Sequence, residues 1–185
     1  MAQEDNAIIG RIQAGETALF SQLYEHYARP IYAFVFYKTH HRETAEDLTS
    51  QTFFKALDKI QSFDFSKGTF QAWLYQIARN CVYDHFRSFK RTADINDVWD
   101  LATDENIPYD VAVREQLTEV CSALKLLKPA QREILILRIW QGKSYTEIGE
   151  IVGKSASACK MDFCRATREL KKSVIVLLLV LFSAV

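Results

Sequence analysis

Helical periodicity runs almost without interruption from about residue 6 to residue 91, and no stretch alternates apolar and polar residues for more than a few positions. That pattern argues against a sheet-based core and restricts the chain to packed helices. Its breaks are short: Gly15, residues 39–42 and residues 62–69. Only six Gly and three Pro occur in 185 residues that are 49% hydrophobic, a globular and helix-favouring balance.

The last third carries a more specific arrangement. Two short helical patterns, residues 129–140 and 144–152, are followed by Gly153 and a longer basic segment at 155–172. This is the sequence form of a helix-turn-helix that reads duplex DNA. Ser144 and Glu147 make a capping box that marks the start of the middle helix. Gly153 can take the left-handed conformation that ends it, and Ser155 can cap the next helix. Stepping about 100° per residue, Ala156, Cys159, Phe163, Ala166 and Leu170 share a core-facing stripe. Ser157, Lys160, Met161, Cys164, Arg165, Arg168, Lys171 and Lys172 lie opposite. Small polar groups at the start suit base edges, and the later cations suit phosphates. With Lys143, Tyr145, Thr146 and Ser155 near the turn, the duplex-binding candidates are Lys143, Tyr145, Thr146, Ser155, Ser157, Lys160, Met161, Cys164, Arg165 and Arg168. Asp162 sits on a flank, where it can pair with Arg165 or accept from a cytosine amino group. The alternative is a solvated basic face on an ordinary bundle helix.

Net charge is zero, which at first sight suits a nucleic-acid binder poorly. Mapped along the chain, however, residues 1–91 carry +1, residues 92–119 carry −7 and residues 120–185 carry +6. A near-neutral N-terminal domain, an acidic connector and a basic C-terminal domain are thus hidden in the total. The four cysteines, Cys81, Cys121, Cys159 and Cys164, show no CxxC spacing and have no histidine at zinc-site spacing. Met1 to Gly10 is polar and acidic, so no secretory leader is expected. His40 and His41 read as a solvated helix end rather than metal ligands.

Two N-terminal helices carry information beyond the fold. In the first, from about Arg42 to Ile60, the residues Leu48, Thr52, Phe53, Ala56, Leu57 and Ile60 make the buried face. Asp47, Gln51, Phe54 and Asp58 collect on the opposite arc, and an outward Phe among acids suggests a protein-docking stripe. The competing possibility is that a neighbouring helix covers Phe54. In the second, from about Phe70 to Arg91, Phe70, Trp73, Leu74, Ile77, Ala78 and Cys81 point inward. Gln76, Arg79, Asn80, Tyr83, Arg87 and Lys90 point outward, mixing cations with amides and a ring as a single-strand binding surface does. The loop before it holds Phe63, Phe65, Lys67 and Thr69, and can receive an unstacked base. At least one of its two Phe rings is expected to tuck into the core.

These segments resemble the extracytoplasmic-function (ECF) group of bacterial sigma factors. The resemblance is carried by LYEHYARPIYAF at 23–34, AEDLTSQTFFKAL at 45–57 and FQAWLYQIARNCVYDHFR at 70–87. LKPAQREILILR at 127–138 and SYTEIGEIVGKSASACK at 144–160 extend it, in the family's order and spacing. The resemblance implies an all-α fold of two small helical domains joined by an acidic linker, the C-terminal one a helix-turn-helix. It implies that Asp47, Gln51, Phe54 and Asp58 dock on core RNA polymerase. The loop and helix bearing Phe63, Lys67, Thr69, Gln76, Arg79, Asn80, Tyr83, Arg87 and Lys90 would capture the melted non-template strand of the promoter minus-ten element. The helix-turn-helix would read the minus-thirty-five element, the acidic connector would run toward the polymerase active-site channel, and an anti-sigma factor is a further implied partner. The chain departs from the family pattern at Ser50 and Gln51, which implies a weaker or rearranged polymerase contact. It departs again at 157–162, where Asp162 stands at a place in which a phosphate-binding Arg is common.

Expected boundaries are 1–91, a linker at 92–116, 117–172 and a tail at 173–185. Residues 174–182 are nine consecutive apolar residues after Lys171 and Lys172. As a helix at about 1.5 Å per residue, 173–185 reaches roughly 20 Å, short of a bilayer core of about 30 Å. Three readings of the tail stand open: a membrane-surface anchor or stub, a helix end packed on the protein's own core, or a docking peptide. The expected home is the cytoplasm, with membrane contact through 173–185 as an added expectation. No Ser/His/Asp grouping, Gly-rich phosphate loop or metal-ligand spacing appears, so neither enzyme activity nor a cofactor is expected. Two rivals remain: a helix-turn-helix regulator working without polymerase, and a metal enzyme using Glu43, Glu46, Asp47 and His40 or His41, which lacks a second acidic helix.

Overall fold

The expected breaks become turns in the computed structural model, which describes residues 2–89, 124 and 127–183, with side chains described through Lys171. The chain divides into two units, residues 1–106 and 107–185. Seven α-helices are bounded among the described residues, and these residues contain no strand.

The first unit holds α1 (Ala2–Gln13), α2 (Phe20–Thr39), α3 (Arg42–Lys59) and α4 (Phe70–Phe89). Ile9, Ile12, Leu23, Ile31, Phe34, Phe70, Leu74 and Tyr75 are fully buried, and α3 adds the smaller Ala45, Thr52 and Ala56, so all four helices contribute to the innermost layer. Each of the larger side chains stabilises the unit by about 1.5–3 kcal/mol on burial. Helix α3 packs on α2 and α4 through Leu48, Thr52, Phe53 and Ala56. Its start is sharply set: His40 ends α2 in the left-handed region (φ 51°), and the His41 ring caps α3, its Nδ1 accepting from the Thr44 amide at 3.2 Å. Near the other end of the sequence segment, Tyr27 donates to the buried carboxylate of Asp5 at 2.6 Å, tying α2 to α1. Burial followed by that carboxylate pushes the Tyr27 phenol well above its usual range.

The second unit is built around α5 (Pro129–Ile139), in which six consecutive residues, Arg132 through Leu137, are buried. A helix covered on all sides must be central to its unit. Arg132 is among them because its guanidinium donates to the carbonyls of Leu124 at 2.8 Å and Leu127 at 3.0 Å. Burial lowers its pKa to about 10, still charged at neutral pH. Leu124, Leu127, Leu135 and Ala166 form a cluster flanked by Phe163 and Leu170. Then come α6 (Tyr145–Val152) and α7 (Ala156–Ser183).

Helix α7 is longer than the expected 155–172: it continues as one helix through the apolar tail to Ser183. Residues 173–183 hold no Gly or Pro to supply a stop signal, so the element does not end at the last lysine. Among the described residues, no helix is long and apolar enough to cross a membrane. The expectation of membrane contact through 173–185 therefore has no support in the structure. The acidic connector, Cys121 and Lys90 lie outside the described residues.

Candidate nucleic-acid and protein interfaces

On α3, residues Asp47, Gln51, Phe54 and Asp58 stand four, three and four apart and are all exposed. Phe54 is 80% exposed, so no neighbouring helix of its unit covers it. Leu57 corrects the sequence reading: it is exposed rather than buried and widens the apolar part of the stripe. Tyr24 of α2, also exposed, packs edge-on against Phe53 at 4.8 Å between ring centres. Sequence reasoning missed both residues, although Leu57 lies one turn from Phe54 and carried a usable signal.

The loop between α3 and α4 is held from two sides. The Gln13 side-chain amide donates to the carbonyls of Ile60 at 2.9 Å and Phe63 at 3.0 Å. Asp64 accepts from the Ser66 amide at 2.9 Å and the Ser66 hydroxyl at 2.7 Å, bonds that hold its carboxyl below the usual range. Thr69 is half-buried, and its hydroxyl accepts from the Ala72 amide at 3.3 Å at the start of α4. Gly68 (φ 141°) makes a turn that a side chain would strain.

Within that loop the two Phe rings differ. Phe63, expected to receive a base, is only 6% exposed, with its ring packed edge-on against Phe70 at 5.9 Å and Trp73 at 5.3 Å. Phe65 is 42% exposed and leans on Phe63 at 5.2 Å. Phe65 is thus the exposed ring of this loop, and Phe63 supports it from within the core. Packing against Phe70 and Trp73 buries Phe63 and leaves Phe65 outside. Lys67 is exposed, 3.3 Å from the Asp64 carboxylate.

Along α4, Gln76, Asn80, Tyr83 and Arg87 are exposed at four-, three- and four-residue spacing. Arg79 is half-buried, a second correction to the outward stripe, since it falls at the edge where α4 meets its neighbours. Buried Lys38 of α2, missed in sequence, brings its ammonium to 5.5 Å from the Tyr83 ring and 4.9 Å from the Phe34 ring. Nothing in the α2 pattern singled it out.

In the second unit the capping box forms as expected. Ser144 Oγ accepts from the Glu147 amide at 3.2 Å, and Glu147 accepts from the Ser144 amide at 2.8 Å. Burial raises the Glu147 pKa, but the Ser144 hydrogen bonds together with Lys143 outweigh it and leave the carboxyl below its usual value. Gly153 takes φ 73° and closes α6. A methyl group at Gly149 would meet the Lys154 carbonyl at 2.5 Å, so the turn depends on that glycine as well. Ser155 Oγ accepts from the Ala158 amide at 3.2 Å, capping α7.

The α7 faces sort as the periodicity implies, with one exception. Cys159 and Ala166 are buried, Phe163 and Leu170 half-buried, but Ala156 is exposed because it occupies the first turn, beyond the reach of the core. Ser157, Lys160, Met161, Cys164, Arg165, Arg168 and Lys171 are all exposed, and Thr146 of α6 is exposed as well. Lys143 and Tyr145 are half-buried and serve the fold instead of standing free. Burial depresses the Lys143 ammonium, with Glu147 opposing, and the Tyr145 ring lies between the Arg138 guanidinium at 4.8 Å and Phe163 at 6.0 Å. Arg138, absent from the sequence candidates, also donates to the Lys143 carbonyl at 2.7 Å and so pins the loop into the turn. Asp162 pairs with Lys154 at 2.6 Å and lies 3.6 Å from Arg165. Among the described residues no group of three or more His, Cys, Asp or Glu could hold a metal ion.

A helical unit with an outward Phe stripe and an aromatic-amide helix, and a second unit built as a helix-turn-helix, together define a transcription-initiation class. Comparison with known proteins gives the same class. Sigma-70 region 2 matches residues 23–92, and Sigma-70, region 4 matches residues 118–170. The ECF RNA polymerase sigma factor BldN of Streptomyces coelicolor is 38% identical over 169 residues, 89% of this chain and 64% of that protein. RNA polymerase sigma factor YlaC of Bacillus subtilis is 35% identical over 156 residues, covering 82% of this chain and 90% of that protein. The sigma factor RpoE of Bartonella quintana, solved with the anti-sigma factor NepR, superposes with a TM-score of 0.64 at 28% identity, over 85% of this chain and 97% of that one. The chain belongs to the ECF group of RNA polymerase sigma factors.

Proposed function

We propose that this sigma factor joins core RNA polymerase through Asp47, Gln51, Phe54 and Asp58 of α3, with Leu57 and Tyr24 adding apolar area. The loop and α4 then take the opened non-template strand. Phe65 stacks a base, Gln76 and Asn80 meet base edges, and Lys67, Arg79 and Arg87 follow the backbone beside Tyr83. The α6–turn–α7 element holds the upstream promoter element as duplex, with Ser157 and Lys160 toward bases and Arg165 and Arg168 on phosphates. Catalysis belongs to the polymerase. This chain contributes by binding the opened strand more tightly than the closed duplex, which lowers the cost of melting. An anti-sigma factor is a partner of the same class as that seen with RpoE. The reading rests on one observation above others: outward binding faces of different chemistry stand on separate helical units of one chain.

Run-off transcription with core polymerase on a pool of promoter fragments tests it. Transcripts from a subset of fragments, with tighter binding to pre-melted bubble templates than to fully paired ones, are expected. Binding to duplex sites with no co-purifying polymerase would instead favour a helix-turn-helix regulator.

A further inference from the structure

Asp162 is the one acid among the exposed cations of the first three turns of α7, and its geometry gives it a task. Its carboxylate is largely shielded, lies 2.6 Å from the Lys154 ammonium and 3.6 Å from the Arg165 guanidinium. Lys154 belongs to the turn between α6 and α7, while Arg165 stands on the outward face of α7. The carboxylate therefore ties one cation of the turn and one of the helix to an internal anion. Neither can meet a phosphate at full strength until that anion is displaced or shared.

We propose that Asp162 is a positioning residue that competes with DNA phosphate for Lys154 and Arg165, holding duplex affinity down at every sequence. The proposal rests on the assignment of α7 to duplex DNA. A phosphate reaching Lys154 replaces one anion with another, so its net gain is small. With Asp162 neutralised, the same contact becomes a full ion pair with counterion release. The competition falls on non-specific and specific sites alike, so its removal raises binding to both by a similar factor.

The test uses full chain assembled with core polymerase, a promoter duplex from the run-off pool and a scrambled duplex of equal length, titrated over a range of KCl concentrations. Asp162→Asn keeps the shape and removes the charge. It is expected to tighten binding to both duplexes about three- to tenfold near 0.1 M salt and to steepen the salt dependence by about one to two phosphate contacts, each worth a slope near 0.9. Lys154→Gln alone should change little, because its charge is already engaged, yet in the Asp162→Asn background it should return most of the gain. Arg168→Ala is the control for the assignment beneath the proposal. If it leaves duplex binding unchanged, the face itself is misassigned. If Arg168→Ala weakens binding while Asp162→Asn leaves it unchanged or weakens it, the proposal is overturned. Thermal unfolding of Asp162→Asn distinguishes lost competition from a loosened turn: tighter binding at unchanged midpoint supports the former, weaker binding at a lowered midpoint the latter.

Discussion

The outward faces of α4 and α7 each run several turns along one helix, yet they are made of different chemistry. The α4 face presents two amides and a ring, Gln76, Asn80 and Tyr83, with Phe65 in the loop before the helix; its cations are few, and Arg79 is half-buried. The α7 face presents Lys160, Arg165, Arg168 and Lys171, all exposed, with no ring among the exposed residues described there. A splayed base offers a π-face and edges, so stacking and amides serve it. An intact duplex offers its phosphates first, so cations serve it. The difference predicts that the two halves of promoter binding respond differently to salt, to side-chain truncation and to pH.

The largest effect should come from the support under the α4 surface. Phe63→Ala leaves a cavity beside Phe70 and Trp73 and should cost about 3–5 kcal/mol in unfolding experiments. Phe65→Ala should barely move stability, yet weaken strand opening by the worth of one stacked base, about 1–3 kcal/mol. Potassium permanganate footprinting of the opened strand and thermal melts of the two variants check the pair. Equal loss of stability in both would erase the division between support and stacking ring.

The turn that aims α7 comes next. Gly149→Ala forces a methyl group against the Lys154 carbonyl and should destabilise the second unit by about 1–3 kcal/mol. Hydrogen exchange resolved by unit should show the loss in α6 and α7 and none in α1 to α4. A stable Gly149→Ala variant with unchanged duplex binding would mean the turn has slack.

Salt then separates the two faces directly. Arg168→Ala should weaken duplex binding at every sequence and reduce the salt slope by about 0.9. Asn80→Ala should reduce opening with the salt slope nearly unchanged. An altered sequence preference with an unaltered slope for Arg168→Ala would move that residue from phosphate to base.

The sequence made these faces legible where a feature was periodic and local. Capping by Ser144, Gly153 and Ser155, the Asp47–Gln51–Phe54–Asp58 spacing and the division of α7 into two sides all follow from 3.6-residue repeats and short-range hydrogen bonds. What escaped depended on partners distant in sequence. Phe63 and Phe65 have the same local claim to the core, and only Trp73 and Phe70 decide between them. Lys38 gains meaning from Tyr83, forty-five positions on, and Arg138 from the carbonyl of Lys143. Lys143 and Tyr145, placed among DNA contacts by their position near the turn, are drawn into the fold by packing that no periodicity announces.

The smallest expected effect, and one that again sets the units apart, is in pH. All four histidines, His26, His40, His41 and His85, lie in the first unit, and the second has none. Burial, and secondarily His41, holds the His85 pKa below its ordinary value of 6.5. A depressed histidine binds fewer protons folded than unfolded, so its neutral form is fully compatible with the fold above about pH 6.5, and stability falls as pH drops below that value. The first unit should therefore lose protection between pH 7.5 and pH 5.5, most visibly in α4 around His85. The second unit should hold over that range, since the Glu147 carboxyl in its capping box is held below 4.5 and gives up its contribution only as pH falls further. Hydrogen exchange at the two pH values, corrected for intrinsic rates, measures both units in one sample. His85→Gln should flatten part of the first unit's response. An equal loss in both units, or none in either, would remove the histidines as the cause.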